Sequence, residues 1–255
     1  MHLLKLHAIS NVIEREKLLR EFYDSYLNIF FPHPDQLDSL PTLLDALGEK
    51  DAVRVDVLYD HGKMVGGIVY GYYQKSGCGL IDYFCVANAS RGRGFGKLLV
   101  RAAEREIHEI ALRLGRPFAN AIFMETNMPH GPEHGEDFSA ADRFKTFERL
   151  GYQQVDYAFV QPPLEDEKQP SDTLHLTVCI NEPHRLKRHP DGGFALQMKV
   201  LRDWMIEYWN SVDTDVTERR EYVEMLKWFH DNKHIEWVAT RSLLDEVPPV
   251  PVSKL

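Results

Sequence analysis

The spacing of apolar and polar residues changes several times along the chain, and each change marks a secondary-structure element. Residues 11–31 and 97–114 repeat apolar side chains at helical spacing. Residues 53–59, 64–73 and 79–87 have the alternating or continuously apolar pattern of strands, separated by turn residues. The remaining predicted elements are strands at the N-terminus, 118–126, 152–160 and 174–180, and helices at 35–47 and 140–150. This order predicts a mixed α/β fold in which helices flank one central mixed sheet.

The pattern changes at about residue 182. Beyond a polar linker, residues 194–212 and 216–231 read as two helices rich in Trp, Tyr and Met. We therefore predict a main domain over residues 1–181 and a C-terminal helical extension over residues 182–255, packed on or beside it. The aromatic stripes of these helices are expected to pack as core, with a homodimer interface or a wall of a binding pocket as the alternatives.

Composition and charge exclude several classes of function. The formal charge of −9 argues against broad nucleic-acid binding, which depends on surplus Lys and Arg. The three cysteines, Cys78, Cys85 and Cys179, have no CxxC spacing, so neither a disulfide framework nor a zinc site is expected. No signal peptide or membrane-spanning stretch is apparent, which favours a cytoplasmic protein without a membrane partner.

The stretch SRGRGFGKLLV, residues 90–100, carries three alternating glycines between a predicted strand and a predicted helix. A helix N-terminus after such a turn suits an anion, because its backbone N–H groups are unpaired. The spacing GxGxG fails the dinucleotide fingerprint GxGxxG. Leu98 stands where the nucleotide triphosphate loop needs Ser or Thr. A ligand-binding loop and a simple tight turn remain the two interpretations.

The six residues Arg91 to Gly96 fit the pattern Arg/Gln-x-x-Gly-x-Gly/Ala. This pattern resembles the pyrophosphate-binding motif of the GNAT superfamily of N-acetyltransferases, and the order of elements over residues 1–181 is similar to that family's fold. The resemblance implies transfer of an acetyl group from acetyl-coenzyme A to a primary amine by direct attack in a ternary complex. It assigns the cofactor to Arg91, Gly92, Arg93, Gly94, Phe95, Gly96, Lys97 and Asn127, and to the strand segment Cys85, Val86 and Ala87, which would supply the oxyanion donor.

Glu125 and Asp82 are the candidate general bases. Each is an acid in an otherwise apolar strand, where burial is costly without a partner or a cleft. The alternative for each is a solvent-exposed strand end or an ion pair with an arginine. The family's usual tyrosine, which protonates the departing thiolate, is replaced here by Phe147, so Tyr152, Tyr157 or solvent would take that role.

A second departure from the family is the long segment 127–142. His130 and His134 are four residues apart, but the glycines and proline around them disfavour the helix that such a metal pair needs, so no metal is expected. The segment is either a loop near the acceptor entrance or a solvated surface loop. Because of Phe147, a non-catalytic acyl-coenzyme A binding module of the same fold remains the alternative function.

Overall fold

The structure is a computed structural model that describes residues 1–48, 53–128, 139–180, 186–188, 193–212 and 215–246. Its centre is one sheet in the spatial order β1-β2-β3-β4-β5-β7-β6-β10-β9-β8. The strands are β1 His2–Lys5, β2 Val53–Asp60, β3 Lys63–Tyr73, β4 Cys78–Val86, β5 Ile122–Asn127, β6 Tyr152–Val155, β7 Leu174–Cys179, β8 Leu186–Arg188, β9 Phe194–Gln197 and β10 Trp237–Arg241. Mixed α/β architecture around one central sheet is therefore confirmed.

Seven helices accompany the sheet in the described part of the chain. They are α1 Val12–Phe22, α2 Asn28–Phe30, α3 Leu40–Gly48, α4 Phe95–Arg113, α5 Ala140–Leu150, α6 Met198–Val212 and α7 Arg220–Asp231. A π-helical turn, Tyr23–Leu27, joins α1 to α2, so the helix predicted over 11–31 is interrupted.

Successive residues of the strands face opposite sides of the sheet, and each side has its own core. On one side α4 and α5 pack against Ile68, Tyr70 and Met124. On the other side α1 and α3 cover Val57 and Val69. The same side is covered further along the sheet by α6 and α7, which bury Trp204 and Trp209 completely. The sheet is therefore sandwiched between two helical layers.

The pairing of β4 with β5 is the only parallel pairing among the described strands, and it is short. It runs from Gly79↔Ile122 to Ile81↔Met124, after which the two strands separate. At the same point β4 carries a bulge, because Val69 pairs with Tyr83 while Tyr70 pairs with Ile81, leaving Asp82 as the extra residue. Bulges of this kind bend a strand and re-aim its side chains. The sheet therefore opens into a gap at Asp82.

The segment after residue 181 is less helical than predicted. Phe194–Gln197 is strand β9, and α6 begins at Met198 rather than at residue 194. β10 pairs with β6 and β9 pairs with β10, so these strands extend the main sheet. The strand predicted over 152–160 ends at Val155. These short strands lack a readable period of two because three to five residues contain too few alternations. None of the helices in the described ranges is long and apolar enough to cross a membrane.

Candidate active site

A cavity of about 640 Å³ occupies the gap between β4 and β5. Its walls come from four places: the second half of β4, the end of β5, the 90–97 turn at the start of α4, and one face of α5. Aromatic side chains at the end of the first helical segment, Phe30 and Phe31, line it as well. The glycine loop and both predicted acids therefore open into one space.

The glycine loop combines two glycines in left-handed backbone with a helix N-terminus that no side chain caps. Gly92 and Gly94 have φ values of +76° and +82°, a backbone region that favours glycine. The tight-turn interpretation accounts for these two residues. No side chain caps α4, and the N–H of Leu98 bonds to the carbonyl of Gly94 as the helix begins. The N–H groups of the first turn are thus left for an anion.

The two arginines of the loop point in different directions. Arg91 lines the cavity, as does Lys97, so both can contribute positive charge there. Arg93 instead forms an ion pair with Asp60, Nη2 to Oδ2 at 2.7 Å, and its guanidinium lies 4.6 Å from the Phe95 ring centre. This geometry gives Arg93 a structural contact and does not favour its predicted role at the phosphate.

The predicted oxyanion segment lies at the rim of the gap. Cys85 and Val86 line the cavity. The N–H of Ala87 donates to the carbonyl of Val65 at 2.9 Å and is therefore directed at β3. Because N–H groups alternate in direction along a strand, that of Val86 is directed at the opposite edge, where β5 has separated. Val86 is the residue of this segment best placed to donate to an oxyanion.

Asp82 and Glu125 both line the cavity, on either side of the gap. The pKa of Glu125 is raised to about 7: burial raises it most, hydrogen bonds from Tyr208 and Gln161 lower it, and the charge of Asp38 raises it. Burial also raises the pKa of Asp82 well above its usual range, and the charges of Asp38 and Glu125 add to that shift. Both carboxyl groups of the gap thus have raised pKa values, an arrangement in which neighbouring acids take different roles.

The Glu125 carboxylate is held from one side. Gln161 Nε2 donates to Oε2 at 2.7 Å. Oε1 is buried and has no hydrogen-bond partner among the described residues, and the same holds for Oε1 of Gln161 and Oδ1 of Asn127. All three residues line the cavity. Three residues of the cavity wall therefore each carry a buried acceptor oxygen that has no hydrogen-bond donor among the described residues.

The end of β5 is fixed by Arg143 of α5. Its Nε donates to Thr126 Oγ1 and its Nη2 to the carbonyl of Asn127, each at 3.1 Å. Burial lowers the pKa of this arginine. Both Arg143 and Asn127 line the cavity.

The tyrosines predicted as proton donors lie elsewhere. Tyr152 is completely buried, and its hydroxyl donates to Glu104 Oε1 at 3.1 Å. Tyr157 packs against Trp228 and Phe229, with ring centres 5.0 and 5.6 Å away. Neither is among the residues that line the cavity, whereas Phe147 is, with its ring 5.9 Å from that of Phe84. The geometry thus does not favour Tyr152 as a catalytic residue.

Two segments, 34–42 and 161–173, contact each other beside the cavity, and we term them the capping loops. Gln36 Nε2 donates to Ser171 Oγ and Thr173 Oγ1 at 3.0 and 2.9 Å. Glu165 Oε1 accepts from the N–H of Ser39 and the hydroxyl of Thr42, each at 2.7 Å. Gln36 and Gln161 both line the cavity, so each capping loop contributes a residue to its wall.

Several cavity residues escaped the sequence analysis. They are Phe30, Phe31, Gln36, Arg143, Thr146, Arg149 and Gln161. Phe31 begins the helix-breaking FPHP run and Phe30 precedes it, which is a weak signal. Tyr208 belongs to the aromatic stripe for which a pocket wall was one of the predicted alternatives, and it lines the cavity. His130 and His134 lie outside the described residues.

The comparison with protein families agrees with this geometry. The acetyltransferase (GNAT) family model matches residues 16–120, which include the glycine loop and α4 and end before β5. No curated protein matches the chain in sequence.

Solved acetyltransferases are among the structures similar to this chain. Tetrahymena GCN5 is 14% identical, covers 72% of this chain and 98% of its own, and has a TM-score of 0.45. The aminoglycoside 6'-N-acetyltransferase in complex with coenzyme A is 16% identical, with coverages of 70% and 96% and a TM-score of 0.44. The ribosomal-protein-S18-alanine N-acetyltransferase from Escherichia coli is 9% identical, with coverages of 69% and 92% and a TM-score of 0.44. The acetyltransferase (GNAT) family model thus identifies residues 16–120 as a domain of that family, and the mixed α/β fold described above is consistent with the match.

Proposed function

We propose that the protein is an N-acetyltransferase that transfers the acetyl group of acetyl-coenzyme A to a primary amine within a ternary complex. The observation that carries this proposal is the gap between β4 and β5, which joins an anion-binding helix N-terminus to two buried carboxyl groups in one cavity. An anionic cofactor and a cationic acceptor would thus approach from opposite ends.

The loop side of the cavity fits the pyrophosphate of coenzyme A. The uncapped first turn of α4 offers backbone donors, and Arg91 and Lys97 add charge. A Cβ placed on Gly92 or Gly94 would meet no atom within 4 Å, so a ligand can approach the backbone there. Bound acetyl-coenzyme A supplies the activated acetyl group.

Glu125 is the proposed general base. An amine acceptor arrives as an ammonium ion and must lose a proton before its nitrogen can attack. A carboxylate with a pKa near 7 is suited to accept that proton at neutral pH. Glu125 lines the cavity, so its carboxylate lies beside the space for the acceptor. The N–H of Val86 would stabilise the oxyanion as the tetrahedral intermediate forms.

Asp82 supports a different step. Its raised pKa favours the protonated form, which can donate a hydrogen bond or a proton. It lies at the bulge where β4 and β5 separate, beside the route of the reacting groups. We assign to Asp82 the delivery of a proton to the departing thiolate, in place of the tyrosine that Phe147 replaces.

The acceptor chemistry follows from the charges around the far end. Beyond the effect of burial, the charge of Asp38 raises the pKa of both Asp82 and Glu125, and the charge of Glu125 raises the pKa of Asp82. A positive charge placed among these three acids would lower the free energy of ionising them. This favours a cationic primary amine over a neutral or anionic acceptor.

The test is amine-dependent release of free thiol from acetyl-coenzyme A across a panel of amines, for the wild type and Glu125→Gln. We expect Glu125→Gln to lower kcat/KM by about 10²- to 10³-fold at pH 7 with unchanged coenzyme A affinity. The wild-type kcat/KM should rise as pH increases through about 7, because the base must lose its proton. Cofactor binding without turnover of any amine would contradict the proposal and favour a binding module.

A further inference from the structure

Two side chains that belong neither to the glycine loop nor to the matched stretch 16–120 act on Glu125: Gln161 donates to its carboxylate at 2.7 Å, and a hydrogen bond from Tyr208 lowers its pKa. Gln161 comes from the capping loop after β6, and Tyr208 comes from α6 in the C-terminal segment. Both line the cavity together with Glu125. Glu125 is thus flanked by parts of the chain that lie far from the glycine loop in sequence.

We propose that Gln161 and Tyr208 are positioning residues that hold the Glu125 carboxylate in its working orientation, so that α6 and the capping loop complete the acceptor end of the active site. This inference rests on the proposed function for its catalytic meaning. The interaction with Glu125 itself does not depend on turnover.

Packing fixes the position of the Tyr208 hydroxyl. The ring stacks on Trp204 with centres 5.2 Å apart and meets Tyr73 edge-on at 5.9 Å. Tyr208 is 3% exposed, and Trp204 is completely buried. A ring enclosed in this way retains its orientation, so its hydroxyl is presented to Glu125 without further ordering.

Gln161 is fixed through its backbone. Its N–H donates to the carbonyl of Ser171 at 2.8 Å, and the N–H of Ser171 donates back at 3.0 Å. The backbone of Gln161 is therefore fixed within the capping loop 161–173, while its side-chain Nε2 donates to Glu125. Gln161 lines the cavity together with Glu125.

The charge state of Glu125 depends on all the groups around it. The titratable groups around it are Asp38 before α3, Asp82 on β4, Tyr73 on β3 and Tyr208 on α6. The charge of Asp38 raises the pKa of Glu125, and the hydrogen bond from Tyr208 lowers it. A donor that bonds to the ionised form favours that form. Loss of the Tyr208 hydroxyl should therefore raise the pKa of Glu125.

The experiment is a carboxyl ¹³C NMR titration of the full chain, with the Glu125 signal assigned by its absence in Glu125→Gln. We expect Tyr208→Phe and Gln161→Leu each to raise the Glu125 pKa by about one unit. The acid limb of kcat/KM should move upward by the same amount while coenzyme A affinity stays unchanged. Since the NMR titration needs no turnover, it can succeed or fail separately from the acetyltransfer assay.

Tyr222→Phe is the matched control, because Tyr222 lies on α7, packs against Trp209 and does not line the cavity. Its Glu125 titration should equal that of the wild type. An unchanged Glu125 pKa in Tyr208→Phe, or an equal shift in Tyr222→Phe, would overturn the inference. If Tyr208→Phe loses its fold by circular dichroism, Gln161→Leu decides in the same way.

Discussion

Some residues of this protein are needed for a particular backbone conformation and others for the chemistry of the site, and the glycine loop contains residues of both kinds. Gly92 and Gly94 have positive φ values that the turn needs whether or not a ligand binds. Gly115, at the other end of α4, has nearly the same geometry, with φ of +80° and open space where a Cβ would stand. It lies outside the cavity-lining set, so a comparison of Gly94 with Gly115 separates strain from ligand binding.

Substituting these two glycines separates the turn from the binding site. Gly94→Ala and Gly115→Ala should each cost about 1 kcal/mol of unfolding free energy, because both force a side chain into left-handed backbone. Gly94→Glu should also weaken coenzyme A binding at least tenfold, since a carboxylate would enter the proposed phosphate site. Gly115→Glu should bind normally. Calorimetric titration with coenzyme A measures the difference in affinity. Equal affinity in both glutamate variants would show that the loop is only a turn and does not bind the cofactor.

At the scale of elements, the capping loops depend on a partly buried ionic contact. Glu165 accepts hydrogen bonds from Ser39 and Thr42 and pairs with Lys168. Although burial opposes ionisation, these hydrogen bonds and Lys168 lower the pKa of Glu165 to about 2. A lowered pKa stabilises the folded state above the ordinary glutamate range, and this contribution is lost as pH falls toward 2.

Glu165→Gln should therefore reduce the free energy of unfolding by about 1 kcal/mol at pH 7, with a smaller difference from the wild type at pH 3. Urea denaturation at the two pH values measures it. Glu167→Gln, an exposed position in the same loop, is the control and should change little. A Glu165→Gln deficit that is equal at pH 3 and pH 7 would argue against an ionic origin.

The sequence predicted the elements whose apolar residues have a clear period. It did not predict the elements and site residues whose positions depend on contacts between distant segments. The helix over 140–150 and the strands around the glycine loop lie where their patterns indicate. Strands β8 to β10 have three to five residues each and are stabilised by pairing, which a local pattern does not reveal. Gln161 and Tyr208 likewise reach Glu125 through tertiary packing, whereas Asp82 and Glu125 stood out as acids in apolar strands.

At the scale of the whole molecule, β6 and β10 join the C-terminal strands to the rest of the sheet. The division at residue 181 remains a prediction, since one sheet runs across it. All four tryptophans, Trp204, Trp209, Trp228 and Trp237, lie on the C-terminal side. Tryptophan fluorescence therefore reports on that side alone, while far-ultraviolet circular dichroism reports on the whole chain.

A continuous sheet should unfold as one cooperative unit. We expect the urea midpoints from tryptophan fluorescence and from circular dichroism to coincide, because separating the C-terminal strands would expose β6 and the buried Trp204 and Trp209. Selective excitation of tryptophan keeps tyrosine emission out of the fluorescence signal. A fluorescence transition at clearly lower urea would mean that the C-terminal part folds independently.

The position of β8 at the end of the strand order has a consequence for solubility. An outermost strand offers unpaired backbone groups to any passing chain, which is a route to aggregation. β8 is only three residues long and carries the exposed cations Lys187 and Arg188, both of which disfavour such pairing. Lys187 lies 5.8 Å from the Trp237 ring centre, and Arg188 lies 6.0 Å from the Phe194 ring centre. Replacing these two charges with apolar residues would turn a protected edge into a template for fibre growth.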